Sequence, residues 1–137
     1  MAIDLRGVCP LLQVYDMPES LRFYRDVLGF EVVSTSPQLR EDYFHWARLK
    51  QGSAEIMLNT AYESDEERPA QRNALRTAAH EDTCLYFGCP DLQAAYEELL
   101  RKGVSVEEPK FAPYGMKQMY LRDPDGYALC YQWSSHA

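Results

Sequence analysis

The sequence predicts an α+β fold: two βαβββ modules forming a curved mixed sheet around a cleft, with the helices on its outer face. Three observations carry this. The second half repeats the first, so that residues 8–62 and 83–134 read as one unit written twice. Each copy opens on a short apolar strand that ends in aspartate, CPLLQVYD and CLYFGCPD. Each then runs through an amphipathic helix that stops at glycine, MPESLRFYRDVLG and LQAAYEELLRKG, into three more strand-like segments. A repeat of this length is an internal doubling and not a solenoid array. At 137 residues the chain has the length of a single domain, with module one at 6–62, a linker at 63–81 and module two at 82–134.

The elements follow in order. The first strand alternates, with Leu12 and Val14 toward one face and Cys9, Leu11 and Gln13 toward the other. Asp16 caps the first helix, Glu19 completes a capping box, and Pro18 sits in the first turn, where its missing N–H costs nothing. Leu21, Tyr24 and Leu28, with Phe23 and Val27, form the buried stripe, and Gly29 gives the left-handed stop. The third strand sends Trp46 and Arg48 to the second face. The fourth buries Ile56 and Leu58 and presents Glu55, Met57 and Asn59 opposite them. Between the modules a charged stretch contains a short helix at 73–80, expected to act as a lid or dimer contact.

The second module repeats the logic. Leu85 and Phe87 face inward from its first strand, and Cys84 and Tyr86 face the other way. Asp91 caps a helix whose stripe is Leu92, Ala95, Tyr96, Leu99 and Leu100. Arg101 and Lys102 meet the negative end of its dipole, and Gly103 ends it. Gln118 and Tyr120 occupy the second face of the next long strand. The last strand packs Leu129, Tyr131 and Trp133 under the helix and turns Ala128, Cys130 and Gln132 to the second face. That mixed aromatic and polar face is the composition of a ligand cleft.

Composition excludes several classes of function. The net charge of −7 argues against nucleic acid, which needs a basic face to release counterions. No basic-then-apolar leader and no run long enough to span a bilayer are present, which predicts a cytoplasmic protein without a membrane partner. The four cysteines form no C-x-x-C pair and read as reduced thiols. No G-x-S-x-G, Walker or Rossmann glycine string and no H-E-x-x-H is found.

The strings DMPESLRFYRDVLGFEVV and PYGMKQMYLRDPDGYALCYQW, above all F-Y-x-D-x-L-G-F combined with D-P-D-G, resemble the vicinal oxygen chelate superfamily. This group of glyoxalases, bleomycin-resistance proteins and extradiol dioxygenases is matched over nearly the whole chain. The resemblance implies paired βαβββ modules, a homodimer and a small-molecule ligand. Metal-dependent members hold their ion with histidine, glutamine and glutamate on the concave sheet. The resemblance places those positions at Cys9, Met57, Cys84 and Cys130, and none of His45, His80 and His136 falls on them.

The donor set therefore predicts no metal and no other cofactor, and the nearest resemblance is to the metal-free bleomycin-resistance branch. Gln13, Trp46, Arg48, Glu55, Met57, Tyr86, Gln118 and Tyr120 are the expected ligand-binding residues, lining an aromatic, partly acidic cleft. Two alternatives stand beside this binder. One is an isomerase or lyase that uses Glu55 as its base. The other is a soft-metal or metalloid site made of Cys9, Cys84 and Cys130.

Overall fold

The protein is described from a computed structural model, which covers residues 2–62, 64 and 66–135. It divides into two compact units, Met1–Arg68 and Pro69–Ala137.

The first unit contains β1 (Leu11–Val14), α1 (Met17–Leu21), β2 (Glu31–Thr35), β3 (Trp46–Gln51) and β4 (Ala54–Thr60). Its sheet runs β1-β4-β3-β2, with β1 parallel to β4 and the other pairs antiparallel. The aspartate at the end of the opening strand has the expected job. Asp16 accepts the Glu19 amide at the start of α1. The helix then differs from the expected one. From Arg22 to Val27 it is π-helical, and Leu28 N–H reaches back to Phe23 O. A π stretch widens the turn, which leaves Phe23 and Val27 half-buried beside fully buried Tyr24. Gly29, at φ +87°, closes the helix: its N–H bonds Arg25 O, and Phe30 N–H reaches back to Tyr24 O.

Alternation sets the core. Leu12 and Val14 of β1, Ala47 and Leu49 of β3, and Ile56 and Leu58 of β4 are buried, as are Met17, Leu21, Tyr24 and Leu28 of the helix. Each large side chain removed from water here contributes about 1.5–3 kcal/mol.

The second unit contains α2 (Ala74–His80), β5 (Cys84–Gly88), α3 (Leu92–Arg101), β6 (Lys110–Ala112), β7 (Met116–Arg122) and β8 (Ala128–Ser134). Its sheet repeats the topology as β5-β8-β7-β6, with β5 parallel to β8. Strand pairing thus makes two four-stranded sheets where one curved sheet was expected. Asp91 accepts the Ala94 amide at 3.0 Å and starts α3, and Gly103 at φ +80° follows its end.

Two assignments to the apolar stripe are corrected. Leu100 and Trp133 are 47% and 40% exposed. Leu100 follows Leu99 directly, and a 100° step along a helix carries one neighbour off the buried face. Trp133 lies at the end of β8, where its ring packs near Gly88 instead of under a helix. Burial is also not confined to the helix side, because Ala128 and Cys130 are buried on the other face of β8.

The short helix α2 forms where expected. Asn73 caps it by accepting the Leu75 and Arg76 amides. It is docked on the D-P-D-G turn. His80 Nδ1 lies 2.8 Å from Asp125 O, the His80 ring stacks on Tyr127 at 4.0 Å, and Arg72 pairs with Asp125 at 3.4 Å. Asp123 Oδ1 accepts the amides of both Asp125 and Tyr127, which holds the turn closed.

Candidate functional site

Each unit presents one sheet face opposite its helix, and strand register decides what that face carries. In the first unit Leu11 pairs with Met57, Gln13 with Asn59, Trp46 with Asn59, Arg48 with Met57 and Lys50 with Glu55. Directly paired residues point the same way. The predicted residues Gln13, Trp46, Arg48, Glu55 and Met57 therefore share one face. Arg48 is exposed and the other four are half-buried. Asn59 Nδ2 donates to Gln13 Oε1 at 3.4 Å. Glu55 stands across from Lys50, and among the described residues no ion pair joins it to Arg48.

In the second unit Tyr86 pairs with Cys130, Cys84 with Ala128, Gln118 with Gln132, Tyr120 with Cys130 and Arg122 with Ala128. Tyr86, Gln118 and Tyr120 are thus brought together as expected, and a polar chain links them. The Tyr86 and Tyr120 hydroxyls approach to 3.5 Å, long for an O–H···O bond. Tyr120 O–H donates to Gln118 Oε1 at 3.3 Å. Gln118 Nε2 donates to Gln132 Oε1 at 2.9 Å and to Tyr114 Oη at 2.8 Å. Gln118 is 8% exposed, whereas Tyr86 and Tyr120 are more than half exposed. The Tyr86 hydroxyl, followed by loss of water, holds the Tyr120 phenol well above the usual range.

This face opens into a cavity of about 690 Å³, walled by residues 104–108, β6 and the outer half of β7. Gln118 and Tyr120 line it. Sequence reasoning missed Lys110, Phe111 and Arg122, which line it too. The signal for Arg122 was present: it lies two residues beyond Tyr120 on the same strand, so period two puts it on the same face. Tyr114, on the β6–β7 turn, belongs to the network through Gln118. β6 pairs with β7 only as far as Lys110↔Gln118.

Burial disfavours the thiolate at the three cysteines that the sequence resemblance places at ligand positions. Burial pushes Cys9 up and the Glu55 carboxylate adds to this, with Arg48 opposing. Burial pushes Cys84 up against the Tyr86 hydroxyl and Arg122, and it pushes Cys130 up against the Tyr120 hydroxyl. Among the described residues no three His, Cys, Asp or Glu side chains gather as a metal group. Neutral thiols and a thioether do not fit a metal that needs nitrogen and carboxylate donors. Of the histidines, His80 serves the D-P-D-G turn. His45, just before β3, has a buried Nε2 without a hydrogen-bond partner. His136 lies outside the described residues.

A repeated βαβββ unit, with a mixed aromatic and polar face on each sheet, defines the paired-module class of small-molecule-binding and metal-enzyme folds. Residues 8–131 match the Glyoxalase/Bleomycin resistance protein/Dioxygenase superfamily, and the chain belongs to it. Virulence protein STM3117 of Salmonella typhimurium is 27% identical over 120 residues, covering 85% of this chain and 75% of that protein. The crystal structure of SMU.1112c is 27% identical, with a TM-score of 0.68 over 95% of this chain and all of that one (100%). TnmS3, an antibiotic binding protein from Streptomyces sp. CB03234, shares the fold at 23% identity, with a TM-score of 0.65 over 98% of this chain and 99% of that one.

Proposed function

We propose that this protein binds a small organic molecule without a metal, in the manner of the superfamily's binding members, and returns it unchanged. One observation carries the reading. A buried glutamine, Gln118, anchors a hydrogen-bonded set of exposed tyrosines at the mouth of a cavity of about 690 Å³. Exposed rings above a fixed polar floor offer stacking area and orientation together. The first unit's face, with Gln13, Trp46, Arg48, Glu55 and Met57, is a second recognition surface in this reading. Family membership supports a small-molecule ligand, and a cytoplasmic homodimer is part of the same proposal.

The test is a screen of aromatic compounds by thermal shift, followed by titration calorimetry and recovery of the compound. Saturable one-to-one binding with the compound intact is the expected result. Chemical conversion would overturn the binder reading in favour of an isomerase or lyase, and loss of that conversion in Glu55→Gln would assign the base. Silence across the screen would remove the reading. Light scattering at micromolar concentration tests the dimer, and a monomeric mass would refute it.

A further inference from the structure

The cavity of the second unit holds a cation, Arg122, whose charge no carboxylate among the described residues answers. Four charged residues line it: Glu107, Glu108, Lys110 and Arg122. Lys110 Nζ is already bound to Glu107 at 2.9 Å. Arg122 is held differently. Its Nη1 donates to two main-chain carbonyls, Gly126 O at 3.0 Å and Glu81 O at 3.2 Å. Both partners are neutral, so they aim the guanidinium without cancelling its charge. Among the described residues no carboxylate lies within ion-pair distance of it, and no bond engages Nε or Nη2. That edge of a guanidinium presents two parallel N–H groups, the fork that matches the two oxygens of a carboxylate.

The surroundings specify the rest of the ligand. Tyr120 stands two residues from Arg122 on the same face of β7, and its ring is about half exposed. Phe111 also borders the cavity, but it pairs with Lys117, whose ammonium lies 5.1 Å over its ring, and so turns that ring to the other face of the sheet. A flat, exposed ring beside an oriented cation suits a molecule with a planar apolar body and an anionic end. We propose that Arg122 anchors the carboxylate of a planar aromatic acid whose ring packs against Tyr120. This inference rests on the binder reading above and names its ligand class.

The test uses three probes that share the naphthalene ring, on the full chain: 2-naphthoate, its isostere 2-naphthamide, and 2-naphthylmethylamine. Affinity is measured by titration calorimetry, and the site is located by amide chemical-shift changes. The acid should bind at least about tenfold more tightly than the amide, as expected for a charge-assisted hydrogen-bonded pair. The amine should bind most weakly, and added salt should erode the preference for the acid. Shift changes should centre on residues 104–111 and β7. Arg122→Gln should bring acid and amide to within about twofold, and Arg122→Lys, which keeps charge but loses the fork, should fall between. Lys110→Gln should alter the preference less than about twofold, because its ammonium already holds Glu107.

Equal binding of acid and amide by the unaltered protein overturns the proposal, and so does a preference that survives Arg122→Gln. The ligand series on the unaltered protein keeps the test decisive if Arg122→Gln fails to fold. Should no naphthalene probe bind while a compound from the broader screen does, only the Arg122 assignment falls. Should neither respond, the binder reading falls with it.

Discussion

A Cβ atom placed on Gly126 would lie 2.8 Å from the carbonyl oxygen of Thr77. The backbone of the D-P-D-G turn and the helix α2 are in direct contact at that point. Gly126 also has φ +90°, a conformation that side chains resist. Both constraints act on one residue, and the contacting atom is backbone, which cannot swing away. Gly126→Ala should therefore destabilise the protein by about 2–3 kcal/mol, measured by urea unfolding. Gly52 occupies the corresponding hairpin of the first module at φ +58°, but a Cβ there meets nothing within 4 Å. Gly52→Ala should cost only about 1 kcal/mol. Equal costs for the two would mean that the Thr77 contact is unimportant.

Gln118→Leu tests the polar floor. The substitution removes donors from Gln132 and Tyr114 and the acceptor from Tyr120. The Tyr114 and Tyr120 hydroxyls are exposed and can turn to water, so the cost is that of the lost hydrogen bonds, about 0.5–1.5 kcal/mol. Hydrogen exchange at residues 113–116 should also quicken, since the bond to Tyr114 ties that turn to the sheet. Unchanged exchange would show that the turn is held by its backbone alone.

Arg25 and Asp42 form a two-point pair, Nη1 to Oδ1 at 2.9 Å and Nη2 to Oδ2 at 3.0 Å. Hydrogen bonding to Arg25 holds the Asp42 carboxyl below the usual carboxylate range, against a smaller opposing effect of burial. A lowered folded value means that the stabilisation is present above the unfolded value, near pH 4, and is lost as pH falls through the folded one. Both side chains are about one-third exposed, so solvent screening limits the effect to roughly 0.5–1 kcal/mol. Asp42→Asn keeps a residue type that tolerates φ +56° while removing the charge. The variant should melt lower at pH 7 and converge with the parent as pH falls through the folded value of Asp42, below the usual carboxylate range. A gap that persists in acid would point to packing instead.

The thiols carry the opposite sign. Burial raises Cys9, Cys84 and Cys130 above their ordinary value near 9.0. Folding disfavours the thiolate, so stability from this source is intact below pH 9 and declines as pH rises through the folded values. Cys130, at 0% exposure, should react with a disulfide reagent only on unfolding, whereas half-buried Cys9 and Cys84 should react slowly at pH 7 and faster above pH 9. Rapid reaction of Cys130 in the native protein at pH 7 would contradict this burial.

The sequence by itself determined the module, its caps and its faces. Asp16 and Asp91 announce helix starts because a carboxylate there satisfies an amide that the helix cannot. Gly29 and Gly103 announce stops because the chain must pass through positive φ. Period-two alternation placed Gln13, Trp46, Arg48, Glu55 and Met57 on one face, and Tyr86, Gln118 and Tyr120 on another, because strand side chains can point only two ways.

Tertiary structure decided what local pattern cannot encode. Strand pairing divided the strands into two sheets, since hydrogen bonds between distant segments leave no periodic trace. The exposure of Trp133 depends on where the neighbouring element ends. Cys130 is buried on the face expected to be open, and Arg122 is aimed because Gly126 O and Glu81 O converge on one of its nitrogens, with no carboxylate among the described residues in ion-pair range. Glu81 lies 41 residues from Arg122 in the chain, and packing alone brings the two together.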